Sequence, residues 1–198
     1  MVLKKNIMIK AFFLFTFFLL GSCTYEYTDK DKLNIEEVKK IYLNVKSFEV
    51  KKDNLDSNKT DSLLLNEINN KVLKNIETWA WKKFSIKGKQ DIAYLDLVKI
   101  NTNLIEKSKN KDSIILIIEQ GKEIYNISLN FDLSITDNEG FSKTLKVSSK
   151  IDLILLDKYS IIKRHKVIDY NVDKLIKLID EKINVELNKD SFKKFVIR

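Results

Sequence analysis

Few of the side chains that usually perform chemistry occur in this chain of 198 residues. It has one His, one Cys and four Gly, and it has no Pro. The histidine, His165, stands among Lys163, Arg164 and Lys166, where neighbouring positive charge disfavours both its protonation and its binding of a metal cation. We therefore expect a solvated loop histidine, and we predict neither a Ser-His-Asp triad nor a zinc site.

A second catalytic pattern is Ser160-Ile161-Ile162-Lys163, because Ser-x-x-Lys places a nucleophile and its activating lysine on one helical face in penicillin-binding enzymes. The partner motifs of those enzymes are missing, since Lys143-Thr144-Leu145 lacks their glycine. The glycines at 21, 88, 121 and 140 are too scattered to form a phosphate-binding loop. The sequence therefore favours a non-enzymatic protein without cofactor or metal, with an enzyme as the weaker alternative.

Two tryptophans raise the question of an aromatic binding platform. Trp79 and Trp81 are two positions apart, so on a helix they cannot share a face. Trp79 falls on an apolar stripe and is predicted to lie in the core. Trp81 is therefore the candidate for an exposed aromatic contact.

Two short clusters of cations could contact an anionic surface. The first surrounds Trp81 and the second surrounds the histidine, and the candidate contact residues are Lys82, Lys83, Lys87, Lys89, Lys163 and Arg164. In a cytosolic protein such clusters, with a formal net charge of +8, would suggest nucleic acid. The secretion signal described next argues against that partner and favours anionic lipid headgroups or an acidic protein surface. Ordinary solvated lysines are the alternative.

The cysteine follows a segment typical of secreted proteins. Residues 1–10 contain three lysines and no acid, and residues 11–20 are apolar apart from Thr16. A basic segment followed by about 7 to 15 apolar residues is typical of a signal peptide, whereas a membrane-spanning helix needs about 20. Leu20-Gly21-Ser22-Cys23 comes next, with an aliphatic residue three places before the cysteine and small residues between them. This motif resembles the lipobox of bacterial lipoprotein signal peptides.

The resemblance implies that Leu20, Gly21 and Ser22 are recognised by a signal peptidase and that Cys23 carries acyl chains such as palmitate. Two or three chains anchor a protein stably, because each buried methylene contributes about 0.8 kcal/mol. Thr24 replaces the Asp that typically retains lipoproteins in the inner membrane, which favours the outer membrane, on its periplasmic side. The alternative is an ordinary signal peptide followed by a free thiol.

Periodicity predicts the elements of the mature chain. Residues 24–40 are polar and predict a tether. Residues 41–50 predict a strand with a bulge or a change of buried face, and 62–84 predict a helix that Gly88 closes in the left-handed conformation. Residues 91–105 predict a long strand with a bulge. The apolar run within 114–120 fits either a strand or a helix.

The strongest pattern is a hairpin. Apolar residues alternate over 125–135 and over 145–155, on both sides of a turn that ends in Gly140. A last helix is predicted over 171–188, with Asn171 as its N-cap. These elements predict an α+β, two-layer sandwich with a mostly antiparallel sheet and two main helices packed on one face. The domain would span 41–190, after a signal peptide (1–22) and a tether (23–40), and before a tail (191–198).

The order of elements also carries a resemblance. The first helix ends in Trp79-Ala80-Trp81-Lys82-Lys83-Phe84, and Ser160-Ile161-Ile162-Lys163-Arg164 precedes the last helix. In both segments the chain resembles an uncharacterised lipoprotein family of alphaproteobacteria with a Trp-Ala-x-Asp-Arg-Leu type motif and a Ser-x-x-x-Arg stretch. Lys82 replaces the acid of that motif, and an arginine expected near Ser148 is absent. The layout is also similar to outer-membrane lipoproteins of lipopolysaccharide assembly, a likeness of architecture only.

These patterns predict a lipid-anchored, periplasm-facing, non-enzymatic lipoprotein of the cell envelope that serves as an accessory or assembly component of a membrane complex. The alternative is a binding module for an anionic envelope lipid or lipopolysaccharide. An assembly component needs an exposed apolar patch or an open sheet edge, such as the strand at 41–50. A lipid carrier needs a cavity between helices and sheet.

Overall fold

The computed structural model describes residues 38–53, 55–57, 61–108, 121–137 and 139–197. The predicted signal peptide, the predicted lipobox with Cys23, most of the predicted tether and the 114–120 segment lie outside these residues. The elements in chain order are β1 (Ile41–Leu43), β2 (Ser47–Lys51), β3 (Asp56–Ser57), α1 (Leu63–Lys83), β4 (Phe84–Ile86), β5 (Ile92–Ser108), β6 (Lys122–Thr136), β7 (Ser142–Leu156), α2 (Ile161–Leu187), a short 3₁₀ helix (Asp190–Phe192) and β8 (Val196–Ile197).

Helix α1 forms where the apolar stripe predicts it, and Ser62 caps its start by accepting a hydrogen bond from the Leu65 amide. Its end differs from the prediction, because the chain passes from Lys83 directly into β4. Gly88 therefore does not cap the helix. A Cβ at Gly88 would lie 2.3 Å from the carbonyl carbon of Asn44, so the glycine allows two backbone segments to approach closely.

Helix α2 begins at Ile161, earlier than predicted, and its N-cap is Ser160 rather than Asn171. Asn171 lies inside the helix, where its side-chain amide donates to the Val167 carbonyl oxygen at 2.8 Å. The prediction was wrong because the first turns carry charged residues that hide the apolar period. The buried stripe itself starts at Val167 and continues to Leu187.

The predicted hairpin is confirmed. Strands β6 and β7 pair antiparallel from Lys122 opposite Leu156 to Thr136 opposite Ser142. Gly140 has a φ of +85°, which the turn between them requires. Strand β5 pairs antiparallel with the other edge of β6, and its register shifts after Leu97 and again after Leu104, which confirms a long bulged strand.

The segment predicted as one strand over 41–50 forms two strands in two sheets. Strand β1 is the middle of a three-stranded sheet with the order β4-β1-β8, whereas β2 belongs to a five-stranded sheet with the order β2-β5-β6-β7, in which β3 also pairs with β5. The change of apolar phase thus marks a change of sheet. Because β1 is paired on both sides, it offers no open edge, and the available edge in this segment is that of β2.

Residues 191–197 of the predicted tail (191–198) are instead part of the domain. Strand β8 pairs antiparallel with β1. Phe192 and Phe195 are buried in the core. Two large apolar side chains so close to the end of the chain could not be recognised as core residues from periodicity, since they lie outside any regular helix or strand pattern.

The two helices cover one face of the five-stranded sheet, so the α+β sandwich is as predicted. Helix α1 packs on β5 and helix α2 on β7. They run parallel, because Lys71 contacts Asp169 at 2.6 Å near their first turns and Lys83 contacts Asn184 at 2.8 Å near their last. No helix in the described part of the chain is long and apolar enough to cross a membrane.

Candidate functional site

The catalytic patterns of the sequence have structural roles. The Ser160 hydroxyl accepts a hydrogen bond from the backbone amide of Lys163 at 3.3 Å, so the Ser-x-x-Lys pattern is a helix cap. His165 lies in helix α2 and not in a loop, and its Nδ1 is 3.1 Å from Oε1 of Glu67 on helix α1. Within the described ranges, no group of three or more His, Cys, Asp or Glu residues could hold a metal ion.

Lys83 is fully buried, so its predicted contact with an anionic surface is wrong. Its ammonium lies 2.7 Å from Oδ1 of Asp180 and donates to Oδ1 of Asn184 at 2.8 Å. Both partners belong to helix α2, and the last turn of helix α1 faces that helix. The lysine therefore joins the two helices.

Trp79 completes this group by donating its indole N–H to Oδ1 of Asp180 at 2.8 Å, and Asn184 donates to Oδ2 at 2.9 Å. We call Trp79, Lys83, Asp180 and Asn184 the seam cluster. Burial lowers the pKa of Lys83 below its usual 10.5, although the contact with Asp180 acts in the opposite direction. Burial thus disfavours the charged form of Lys83 more than Asp180 favours it.

A second cluster surrounds Glu123 at the start of β6, and we call it the strand-end cluster. The carboxylate accepts hydrogen bonds from Lys107 at 2.7 Å, Arg164 at 2.6 Å and the Tyr125 hydroxyl at 2.9 Å. The Lys107 hydrogen bond leads the partners that lower the pKa of Glu123, against the effect of burial. Burial and the neighbouring carboxylate raise the pKa of Tyr125 to about 12. The predicted surface residue Arg164 is thus engaged in an internal ion pair.

The other predicted surface cations do not form one basic surface. Lys82, Lys87 and Lys89 are exposed near the C-terminal end of α1, and Lys163 is exposed at the N-terminal end of α2. Because the helices are parallel, these are opposite ends of the domain. Lys87 places its ammonium 3.7 Å from the centre of the Tyr42 ring.

The two tryptophans differ as the sequence predicts. Trp79 is buried in the core, whereas Trp81 is 56% exposed. The Trp81 ring meets the Phe48 ring edge-on, with the ring centres 5.4 Å apart. One side of Trp81 is thus supported by the core while the remainder faces solvent.

An apolar surface that the sequence analysis missed lies at the end of the domain where both helices begin. The last residues of β5 and of β7 both pair with the first residues of β6, so the two strands end there. Leu104 of β5 is opposite Tyr125, and Tyr125 is opposite Leu153 of β7. The exposed aliphatic residues at this end form what we call the apolar tip: Leu63, Leu104, Ile105, Ile154, Ile161 and Ile162. The available signal was the presence of aliphatic residues in the first turn of each helix, outside its apolar stripe.

Charges of both signs lie near the apolar tip, and some of them form ion pairs. Glu106 lies 3.5 Å from Lys122, and Glu67 lies beside His165. The strand-end cluster, with its own carboxylate, is at the same end. The exposed aliphatic residues are therefore framed by both signs of charge.

A groove lies at the opposite end of the domain, between β1, β8 and the last turn of α2. Its volume is about 640 Å³. The apolar part of its lining is Ile41, Tyr42, Leu187, Val196 and Ile197, and Lys39 and Lys40 line it on one side. A second groove, of about 430 Å³, includes Lys87 and Lys89 together with Asp91, Asp137 and Glu139, so it carries charges of both signs.

Comparisons with solved structures give distant likenesses. Rare lipoprotein B from Shewanella oneidensis matches with a TM-score of 0.31 and 13% identity over 71% of this chain and 98% of that chain. A minor lipoprotein from Acinetobacter baumannii matches with a TM-score of 0.35 and 10% identity over 77% of this chain and 96% of that chain. The hypothetical protein CT253 from Chlamydia trachomatis matches with a TM-score of 0.26 and 6% identity over 75% of this chain and 96% of that chain. At these values the matches assign neither family nor function.

No family model matches the sequence, and no curated protein matches it.

Proposed function

We propose that this protein is a lipid-anchored, non-enzymatic component of a bacterial cell envelope that acts by binding another envelope protein. Acylated Cys23 anchors it, and the absence of Asp at position 24 favours the outer membrane, on the periplasmic side. The lipobox residues Leu20 to Cys23 support the anchor. The apolar tip is the observation that carries the binding role.

The apolar tip fits a protein partner because it places exposed aliphatic residues of both helices and of β5 and β7 at one end of the domain, and large exposed apolar patches mark interaction sites. Ile161 and Ile162 are 75% and 71% exposed, and Leu63 is 86% exposed. Charges of both signs lie around it, since Glu106 pairs with Lys122 and Glu67 with Lys71, and mixed charge is typical of the polar rim of a protein interface.

Contacts within the fold account for the perturbed titratable groups. In active sites, shifted pKa values occur in clefts that a substrate can enter. Lys83 is sealed between the helices, and Glu123 is already bonded to three donors. Both groups hold elements together, so their perturbation needs no substrate to explain it.

A photo-crosslinking amino acid at position 162 tests the apolar tip in living cells. We expect one dominant crosslinked partner protein in the membrane fraction. The matched control is position 185, because Val185 is also an exposed aliphatic residue on α2 but lies near the other end of the helix. Ile161→Asp, which adds a charge beside the label, should weaken the crosslink several-fold. Equal crosslinking from both positions, or none from position 162, would contradict the proposal.

A further inference from the structure

The groove beside β1 has the size and lining of a small-ligand site. Its volume of about 640 Å³ falls within the range of roughly 300 to 1,000 Å³ that such sites occupy. Of its lining residues, Leu187 is buried, Ile41 and Val196 are partly buried, and Ile197 is exposed. Contact with these side chains would remove a hydrocarbon chain from water, which is favourable.

Among the described residues that line the groove, the charge has one sign. Lys39 and Lys40 belong to that lining, and none of its described residues is acidic. Lys39 is also close enough to act with burial in lowering the pKa of Lys83. Positive potential at one side of an apolar groove complements a ligand that joins an apolar chain to an anionic head.

We propose that this groove binds the acyl chain of an anionic membrane lipid and that Lys39 and Lys40 contact the lipid phosphate. The choice of a membrane lipid rests on the proposed anchor, because only residues 24–37 separate acylated Cys23 from Val38, where the described chain reaches the groove. An extended chain spans at most about 3.6 Å for each residue, so the groove stays within reach of the bilayer. The groove is at the opposite end of the domain from the apolar tip, so one protein could hold a lipid and a partner at once.

The test uses the full-length protein in phosphatidylcholine nanodiscs, after mass spectrometry has established whether Cys23 is acylated, so a missing anchor is distinguished from an empty groove. Lysophosphatidylglycerol is titrated in, with lysophosphatidylcholine of the same acyl chain and inorganic phosphate as the other two probes. Amide hydrogen exchange is followed at 41–43 and 196–197. We expect lysophosphatidylglycerol to slow exchange at concentrations at least tenfold lower than lysophosphatidylcholine, and phosphate to have no effect.

Charge reversal identifies the head-group contact. Lys39→Glu with Lys40→Glu should abolish the difference between the two lipids. The control, Lys163→Glu with Lys166→Glu, makes the same change in net charge at the other end of the domain and should preserve it. Equal effects of both lipids, a response to phosphate alone, an unchanged preference in the reversed variant, or full protection before lipid is added would each overturn the proposal. The last result would indicate that another segment of this chain fills the groove.

Discussion

In the seam cluster a cation is enclosed between two helices, whereas in the strand-end cluster an anion lies at the margin of the sheet. Lys83 is fully buried and faces one carboxylate. Glu123 is about one tenth exposed, and its three partners include Lys107, which is 55% exposed. Both groups are charged residues with polar neighbours, but their surroundings differ in the amount of water and in the number of donors or acceptors.

These differences decide whether the folded protein favours or disfavours the charged form of each group. At Lys83, burial outweighs the carboxylate, so the pKa falls and the charged form is disfavoured. At Glu123, the hydrogen bonds outweigh burial, so the pKa falls and the charged form is favoured. A buried charge is therefore stabilised when several donors share it at a margin that water can reach, and it is costly when one counter-ion must replace all the water.

The largest expected effect is that of Asp180→Ala, which leaves the buried Lys83 ammonium without its counter-ion. We expect a loss of about 3–5 kcal/mol in the free energy of unfolding, measured by urea denaturation. Asp169→Ala is the matched control, because Asp169 pairs with Lys71 across the same two helices but is half exposed. The control should cost about 1 kcal/mol or less. Equal losses in the two variants would show that burial is not what distinguishes the seam cluster.

Removing the Lys83 ammonium should cost less stability than removing the Asp180 carboxylate. In Lys83→Met, Asp180 keeps the indole of Trp79 and the amide of Asn184 as donors, so we expect a loss of about 1–3 kcal/mol. Because the pKa of Lys83 is lower in the folded state, the unfolded state binds more protons and wild-type stability should rise as pH increases towards 10.5. Denaturation at pH 7 to 10 should show that rise in the wild type, relative to the variant.

In the strand-end cluster, Glu123→Gln should cost about 1–2 kcal/mol at neutral pH, because the three donors lose their charged acceptor. The folded-state pKa of Glu123 lies below the usual 4.5, so its contribution is present above pH 4.5 and is lost as pH falls through the folded value. The variant should therefore lose less stability than the wild type in acid. Parallel acid-denaturation curves would contradict this assignment.

The smallest effect is expected for Tyr125→Phe, which removes one of the three donors to Glu123 and should cost about 0.5–1 kcal/mol. Since the pKa of Tyr125 is raised from 10.0 to about 12, its contribution is complete below pH 10 and is lost as pH rises through 12. Thermal melts between pH 9 and 12, compared with those of the variant, measure that loss.

The sequence predicted those features of the fold that repeat along the chain. The stripe of α1 and the alternation of β6 and β7 place a residue inside or outside by its position alone, so both were recognised. The first turns of α2 were missed because Lys163 to Lys166 carry no apolar period. The left-handed conformation expected at Gly88 was wrong because the helix ends earlier and passes directly into a strand.

The candidate sites were harder to predict, because they depend on contacts between distant residues. Lys83 was expected at the surface since its neighbours are lysines, and its partner Asn184 is 101 positions away in the chain. Arg164 was expected at the surface for the same reason, although Glu123 holds it. The apolar tip and the groove arise where separate elements end side by side, and local periodicity contains no information about that.

Both proposals depend on the proposed anchor at Cys23, because it would give the tip partner its envelope location and bring the groove near membrane lipid. Intact mass spectrometry of the protein isolated from membranes tests it directly. We predict a chain that begins at Cys23 and carries the added mass of a diacylglyceryl group and, in an outer-membrane lipoprotein, an amide-linked acyl chain. A chain that still begins at Met1, or an unmodified Cys23, would contradict the account.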